Sequence, residues 1–219
     1  DLVAEIVSDA REDGLAVLAR MDCNRATPEF YNANPDWFVT LPDGSAVETQ
    51  GRYITCVNSP YYKDHIPRIL AEVIHRYHPD GFTDNSWTGA GYSTICHCPY
   101  CQAKFKDDAG LALPTGKDWD DPVYRKWVTW SYRCREENWD LFTAVAAEHG
   151  GKECLWLGMV NANPFQTHLN FADLHEIGRR SKILMCDHQS RDKLNGFEQN
   201  VVNGELLHSV TSPGTLIPQ

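Results

Sequence analysis

Apolar residues recur at helical spacing at Leu2, Val3, Ile6, Val7 and Ala10. Gly14 stops that run, and Leu15 to Met21 follows as an apolar stretch of strand length. From Arg25 to Pro60 the periodicity disappears. Asn34-Pro35 and Pro42-Asp43-Gly44 are turn signals there, so the segment reads as a long irregular connection of the kind that often carries function. Asp64 can cap a helix whose apolar stripe is Ile66, Ile69, Leu70, Val73, Ile74 and Tyr77, and Pro79-Asp80-Gly81 then turns the chain into the strand Phe82-Thr83-Asp84.

A second long loop is expected from Asn85 to about Pro122. Val123, Trp127, Trp130, Cys134, Leu141, Phe142 and Val145 mark a long helix closed by Gly150-Gly151, and Cys154 to Val160 is a third strand. A shorter helix over Leu169 to Arg180, a strand over Lys182 to Cys186 and a weaker helical stretch from Phe197 to His208 complete the pattern. Helix and strand alternate throughout, which predicts parallel strands joined by right-handed crossovers, in a doubly wound sheet or a (β/α)8 TIM barrel. Neither G-x-G-x-x-G nor G-x-x-x-x-G-K-[ST] follows a strand, which removes the nucleotide-binding sheet. Polar residues follow the strands instead: Asp22 and Asn24, Asp84 and Asn85, Asn161 and Asn163, Asp187 and His188. In a barrel these converge on one mouth.

With 219 residues and 42% hydrophobic content, one domain with a full core is expected rather than two. No apolar run approaches the ~20 residues that span a bilayer. A net charge of −10 without clustered Lys or Arg argues against nucleic acid and leaves a neutral or uncharged partner, with a homo-oligomer compatible. The chain opens at Asp1 inside a helical pattern, without a basic and then apolar leader. It therefore reads as a piece of something longer whose compartment is open, the cytoplasm being favoured.

Eight cysteines are too few for a disulfide scaffold, yet three crowd into Cys96-His97-Cys98-Pro99-Tyr100-Cys101. Three buried free thiols in a polar, Gly-rich loop would be poor core packing. Cys98-Pro99-Tyr100-Cys101 is also the C-P-Y-C tetrapeptide of glutaredoxins, but those proteins place it directly after a first strand. A structural zinc site needs a fourth thiolate in a closed tetrahedron, for which Cys56 is the candidate.

Cys56-Val57-Asn58-Ser59-Pro60 followed by Cys96, Cys98 and Cys101 resembles glycoside hydrolase family 42 β-galactosidases. These carry a C-P-N-S-P segment after their third strand and a C-x-C-x-x-C loop after the fourth. Ala19-Arg20-Met21-Asp22, Asn34-Pro35-Asp36-Trp37, Asp80 to Asn85 and the Cys loop are also similar to an uncharacterised barrel family, the hypothetical glycosyl hydrolases. The likeness runs from about Leu2 to Phe105. It implies that Cys56, Cys96, Cys98 and Cys101 bind zinc, and that the chain covers about the third to sixth strands of a barrel, as one segment of a longer enzyme.

Family 42 ends its fourth strand with Asp-Asn-Glu, the Glu being the general acid, whereas this chain has Asp84-Asn85-Ser86. Families 27, 29, 31 and 36 place a nucleophilic Asp at the end of that strand, where Asp84 stands, and 27, 31 and 36 take their acid/base from the sixth, where Asp187 stands. The resemblance thus implies a retaining pair, Asp84 and Asp187, on a glycosidase. Asp22, Asn85, Asn161 and His188 are candidate sugar contacts, and Trp87 a stacking surface for a pyranose. Simpler roles are an Asp84 that caps its loop, an Asp187 paired with Arg191, and an Asp22 paired with Arg20 or Arg25. Trp127, Trp130 and Trp139 are expected in the core. The rivals are a carbohydrate-binding barrel without hydrolysis and a C-P-Y-C thiol oxidoreductase.

Overall fold

A computed structural model of the chain describes residues 1–84, 89–161, 167–187, 199–211 and 216–218, with 161, 168, 186, 187, 199, 200 and 216–218 described for their backbone only. Helix α1 (Leu2–Glu12) starts at Asp1, whose carboxylate accepts from the Val3 amide, and leads to strand β1 (Leu18–Met21). The next 40 residues are less irregular than their sequence suggests. They contain β2 (Arg25–Ala26), helix α2 (Pro28–Ala33), β3 (Glu48–Thr49) and β4 (Arg52–Ile54), and the three strands form a small antiparallel sheet in the order β2-β4-β3. Strands of two or three residues are too short to show an alternating pattern. Helix α2, by contrast, has a readable start in Thr27, which caps it, and Pro28 in its first turn.

Helix α3 (Ile66–Tyr77) is entered through a wide π-type turn at Tyr61–His65. Asp64 therefore does not cap α3, as its spacing suggested. It lies inside that turn and pairs with Arg68 at 2.7 Å on the surface. Strand β5 (Gly81–Asp84) follows. The second expected loop contains a further helix, α4 (Pro99–Ala109), which Cys98 precedes and Gly110 terminates in a left-handed conformation. Then come α5 (Pro122–Gly150), β6 (Leu155–Asn161), α6 (Leu174–Arg180), β7 (Leu184–Asp187), α7 (Gln199–Val210) and β8 (Leu216–Pro218).

The main sheet is parallel with the order β1-β5-β6-β7-β8, one strand more than the four expected. Every crossover carries a helix, as a βα succession requires. One face of the sheet looks onto α5. The Trp156 ring lies 4.8 Å from Phe142 of that helix, and a Cβ built on Gly158 would sit 2.3 Å from the Trp139 ring. Phe82, Trp139, Phe142, Trp156 and Leu70 are all buried, and burial of each large apolar side chain contributes on the order of 1.5–3 kcal/mol. Trp127, Trp130 and Trp139 lie in this core, as helical spacing indicated. On α1, by contrast, only Val7 is buried, while Leu2, Val3 and Ile6 face solvent. Among the described residues no helix is long and apolar enough to cross a membrane.

Candidate functional site: a four-thiol centre and the strand mouth

Cys56 follows β4, Cys96 and Cys98 end the loop after β5, and Cys101 sits in the first turn of α4. The fold brings their four sulfur atoms within 4.8 Å of one another. Cys56 Sγ is 3.3 Å from Cys101 Sγ and 3.4 Å from Cys98 Sγ, and no disulfide joins the described cysteines. A tetrahedron of thiolates about 2.3 Å from a central ion has sulfur–sulfur edges of about 3.8 Å, inside the range seen here. The donors therefore fit a metal ion.

The surroundings fit one too. Asn58 turns both its nitrogens toward the cluster, its amide to Cys56 Sγ at 3.4 Å and its Nδ2 to Cys101 Sγ at 3.3 Å, bonds that suit thiolates. A small cavity of about 30 Å³ adjoins the cluster, lined by Cys56, Cys96, Cys101, Cys134 and Arg135. Hydrogen bonds from Cys56, Cys96 and Cys98, together with burial, push the Cys101 thiol up, whereas Cys96, favoured by bonds from Cys101, Cys56 and Cys98, is held down. Four thiols packed this closely, three of them buried, cannot all ionise unless a cation compensates them. Burial pushes Cys134 up to about 12 and lowers Arg135 to about 10, so that Arg135 remains a cation at neutral pH.

Helix α5 locks this centre in place. Asn138 donates to the Val57 carbonyl at 2.9 Å and accepts from Lys63 Nζ at 2.6 Å, while Lys104 of α4 pairs with Glu137 at 3.2 Å. Asn58, Arg135 and Asn138 were not anticipated from the sequence. The readable signal was polarity in the wrong place, since Arg135 and Asn138 fall on the apolar stripe that carries Trp127, Trp130 and Cys134.

The strand ends form the second part of the site. Met21 lies opposite Asp84, Asp84 opposite Gly158, and Asn161 opposite Asp187, so all of them stand at the C-terminal end of one parallel sheet. Asp187 is two strands from Asp84 and three residues farther along, about 10 Å in each direction. Asp22 is exposed just beyond β1. Asn85, Trp87 and His188 lie outside the described residues, as do the side chains of Asn161 and Asp187.

Asp84 is completely buried. It shares a sheet face with its neighbour Gly158, and that face looks onto α5. The Cys23 thiol hydrogen-bonds to Asp84, and burial followed by the charges of Asp84 and Asp22 pushes that thiol well up. Tyr61 and Tyr62 are raised in the same way, by burial first and then by Cys23 and Asp84. Thr55 completes the group by donating to the Cys23 carbonyl at 2.9 Å. These neighbours, also unanticipated, come from the residue after β4, the turn before α3 and the residue after Asp22.

Residues 1–86 of the 219 match the model of a family described as hypothetical glycosyl hydrolase 6. No curated protein matches the chain. Among solved structures the chain is similar to the β-galactosidase of Bacillus circulans sp. alkalophilus, with a TM-score of 0.69 at 13% identity, over 95% of this chain and 35% of that one. The cold-adapted β-galactosidase of Rahnella sp. R3 gives 0.60 at 15%, over 89% and 33%. Alpha-L-fucosidase isoenzyme 2 of Paenibacillus thiaminolyticus gives 0.55 at 15%, over 90% and 32%. The chain thus spans about a third of the length of the barrel glycosidases it matches. Its parallel sheet and helices are consistent with part of an α/β barrel.

Proposed function

We propose that the chain is the central part of a (βα)8 glycoside hydrolase that acts on a carbohydrate by a retaining two-carboxylate mechanism, with Asp84 as nucleophile and Asp187 as acid/base. The observation that carries this reading is that Asp22, Asp84 and Asp187 all stand at the C-terminal end of one parallel sheet whose relatives in fold are glycosidases. Barrel enzymes build their sites at that end. Cys56, Cys96, Cys98 and Cys101 hold a structural zinc ion, closed by four protein ligands, which ties the loop after β5 to β4 and α4. The burial of Cys98 and Cys101 and their contacts with Cys56 favour metal over thiol exchange, because an exchanging thiolate must be reachable.

The burial of Asp84 among Cys23, Tyr61 and Tyr62 favours a second reading, a carbohydrate-binding barrel in which Asp84 is structural. One experiment separates the two. The whole natural protein is assayed on aryl galactosides and fucosides, with the anomer of the product followed by NMR. Under the first reading Asp84→Asn lowers kcat by at least about 10³-fold while the fold and metal content stay intact. Unchanged turnover removes Asp84 from the chemistry, and binding without cleavage by the wild type establishes the second reading.

A further inference from the structure

Arg135 stands where three parts of the molecule meet. It is buried on α5 and lines the same cavity as Cys56, Cys96 and Cys101. Its guanidinium donates to the Ala90 carbonyl at 2.6 Å and to the Ser131 carbonyl at 3.0 Å, and its Cζ lies 4.4 Å from the centre of the Phe171 ring. Ala90 belongs to the loop after β5, and Phe171 to the loop after β6. One side chain therefore touches both mouth loops and the wall of the thiol cavity.

Both loops are shaped to reach it. Phe171 has a φ of +57°, a left-handed conformation that a bulky L-residue avoids and that glycine would take freely. Its ring is what glycine could not supply. It lies under Arg135 and edge-on to Trp127 and Tyr132, with ring centres 5.4 Å apart in each pair. On the other loop Gly89 has a φ of +62°, and a Cβ there would meet Val57 Cγ1 at 2.9 Å and approach Arg135 Nη2 to 4.0 Å. The glycine lets the backbone come close enough for Ala90 to accept from the guanidinium.

A divalent ion held by four thiolates carries a net charge of about −2, and in a dry interior that charge is stable only beside donors and positive groups. We infer that Arg135 is the counter-charge of the four-cysteine centre, and the strut through which a bound metal fixes the loops after β5 and β6. This rests on the reading of the four cysteines as a metal centre. Lysine would keep the charge but could not hold two carbonyls and lie flat on a ring at once.

The test uses the purified protein stripped of metal and titrated with Zn²⁺ against a competing chelator, together with hydrogen exchange of the amides of residues 89–95 and 167–172. Wild type is expected to bind one equivalent and to protect both loops only when loaded. Arg135→Met is expected to bind zinc ten- to a hundredfold more weakly, and to leave both loops unprotected even at saturation. Arg135→Lys should recover part of the affinity without the protection, and it serves if the Met variant does not fold. Wild-type affinity and protection in Arg135→Met overturn the inference. A wild type that takes up no zinc overturns the metal reading itself, and that result is visible before any substitution is made.

Discussion

The thiol centre and the strand mouth occupy neighbouring ends of the same loops, yet they are built on opposite plans. At the centre, four like groups from β4, the loop after β5 and α4 converge within 4.8 Å, and donors from Asn58 are turned onto them. At the mouth the acidic residues diverge, with Asp22 exposed, Asp84 enclosed among Cys23, Tyr61 and Tyr62, and Asp187 two strands away and three residues farther along. A metal-type cluster is complete within the chain that carries it. A barrel mouth is shared among all its strands, and this chain spans about a third of the barrel enzymes it resembles.

The largest effect should come from breaking the self-contained half. Cys101→Ser removes one of four sulfurs from a buried cluster that also anchors the first turn of α4. Metal analysis should fall from one zinc per chain to none, and the loss of stability should be about 4 kcal/mol or more, roughly 8–16 °C in Tm for a domain of this size. Cys134→Ser, which lines the same cavity outside the cluster, should keep its metal. Equal metal content in the two variants would dissolve the distinction between the centre and its surroundings.

The same contrast explains how far the sequence could be read. C-x-C-x-x-C is local, so its spacing already places three sulfurs together, and only Cys56 required a resemblance. The long helix α5 and the strands β1, β5, β6 and β7 were legible because their apolar runs are long or end at Gly and Pro signals. Helix α4 was hidden because its apolar stripe is thin, with Cys101 and Phe105 alone buried among charged residues. Strands β2 to β4 were hidden by their shortness. The facing of Asp84 was hidden for a different reason. In a strand of four residues, a shift of one position exchanges the two faces, and only the packing of Gly158 against Trp139 shows which face looks onto α5.

That facing can be tested directly. Gly158→Ala places a methyl group 2.3–2.4 Å from two atoms of the Trp139 ring, and overpacking of this kind costs about 1–3 kcal/mol. Thr83→Val, one residue before Asp84 on the other face, removes a buried hydroxyl that has no hydrogen-bond partner among the described residues, and should be neutral or slightly stabilising. Thermal unfolding of both variants should therefore separate the two faces of the sheet. If Gly158→Ala is as harmless as Thr83→Val, Asp84 is not on the side facing α5, and the route from its carboxylate to the mouth is open.

The smallest effect concerns the far end of α4, where the metal-type anchoring of the first turn gives way to ordinary surface charge. Asp108 accepts from Trp130 Nε1 at 2.8 Å and pairs with Lys104 at 3.0 Å. Partial burial opposes its ionised form, but the Trp130 hydrogen bond and the Lys104 contact outweigh it, with help from Arg133, and hold its carboxyl below the usual value. A folded-state pKa below the unfolded one means that the stabilisation is complete above the unfolded value of about 4 and is lost as pH falls through the folded one. Asp108→Asn should therefore cost about 1 kcal/mol or less at pH 7, as a partly exposed pair does, and the difference from wild type should shrink as the pH falls below the unfolded value and through the folded one. Because thiolate ligands are protonated and release metal on acidification, the comparison should be made at each pH on stripped protein as well as loaded protein. In stripped protein the Asp108 difference should persist at pH 7, since neither Trp130 nor Lys104 is one of the four thiols. If stripping abolishes it, the two ends of α4 act as one unit, and the boundary between the thiol centre and its scaffold lies at the end of the helix.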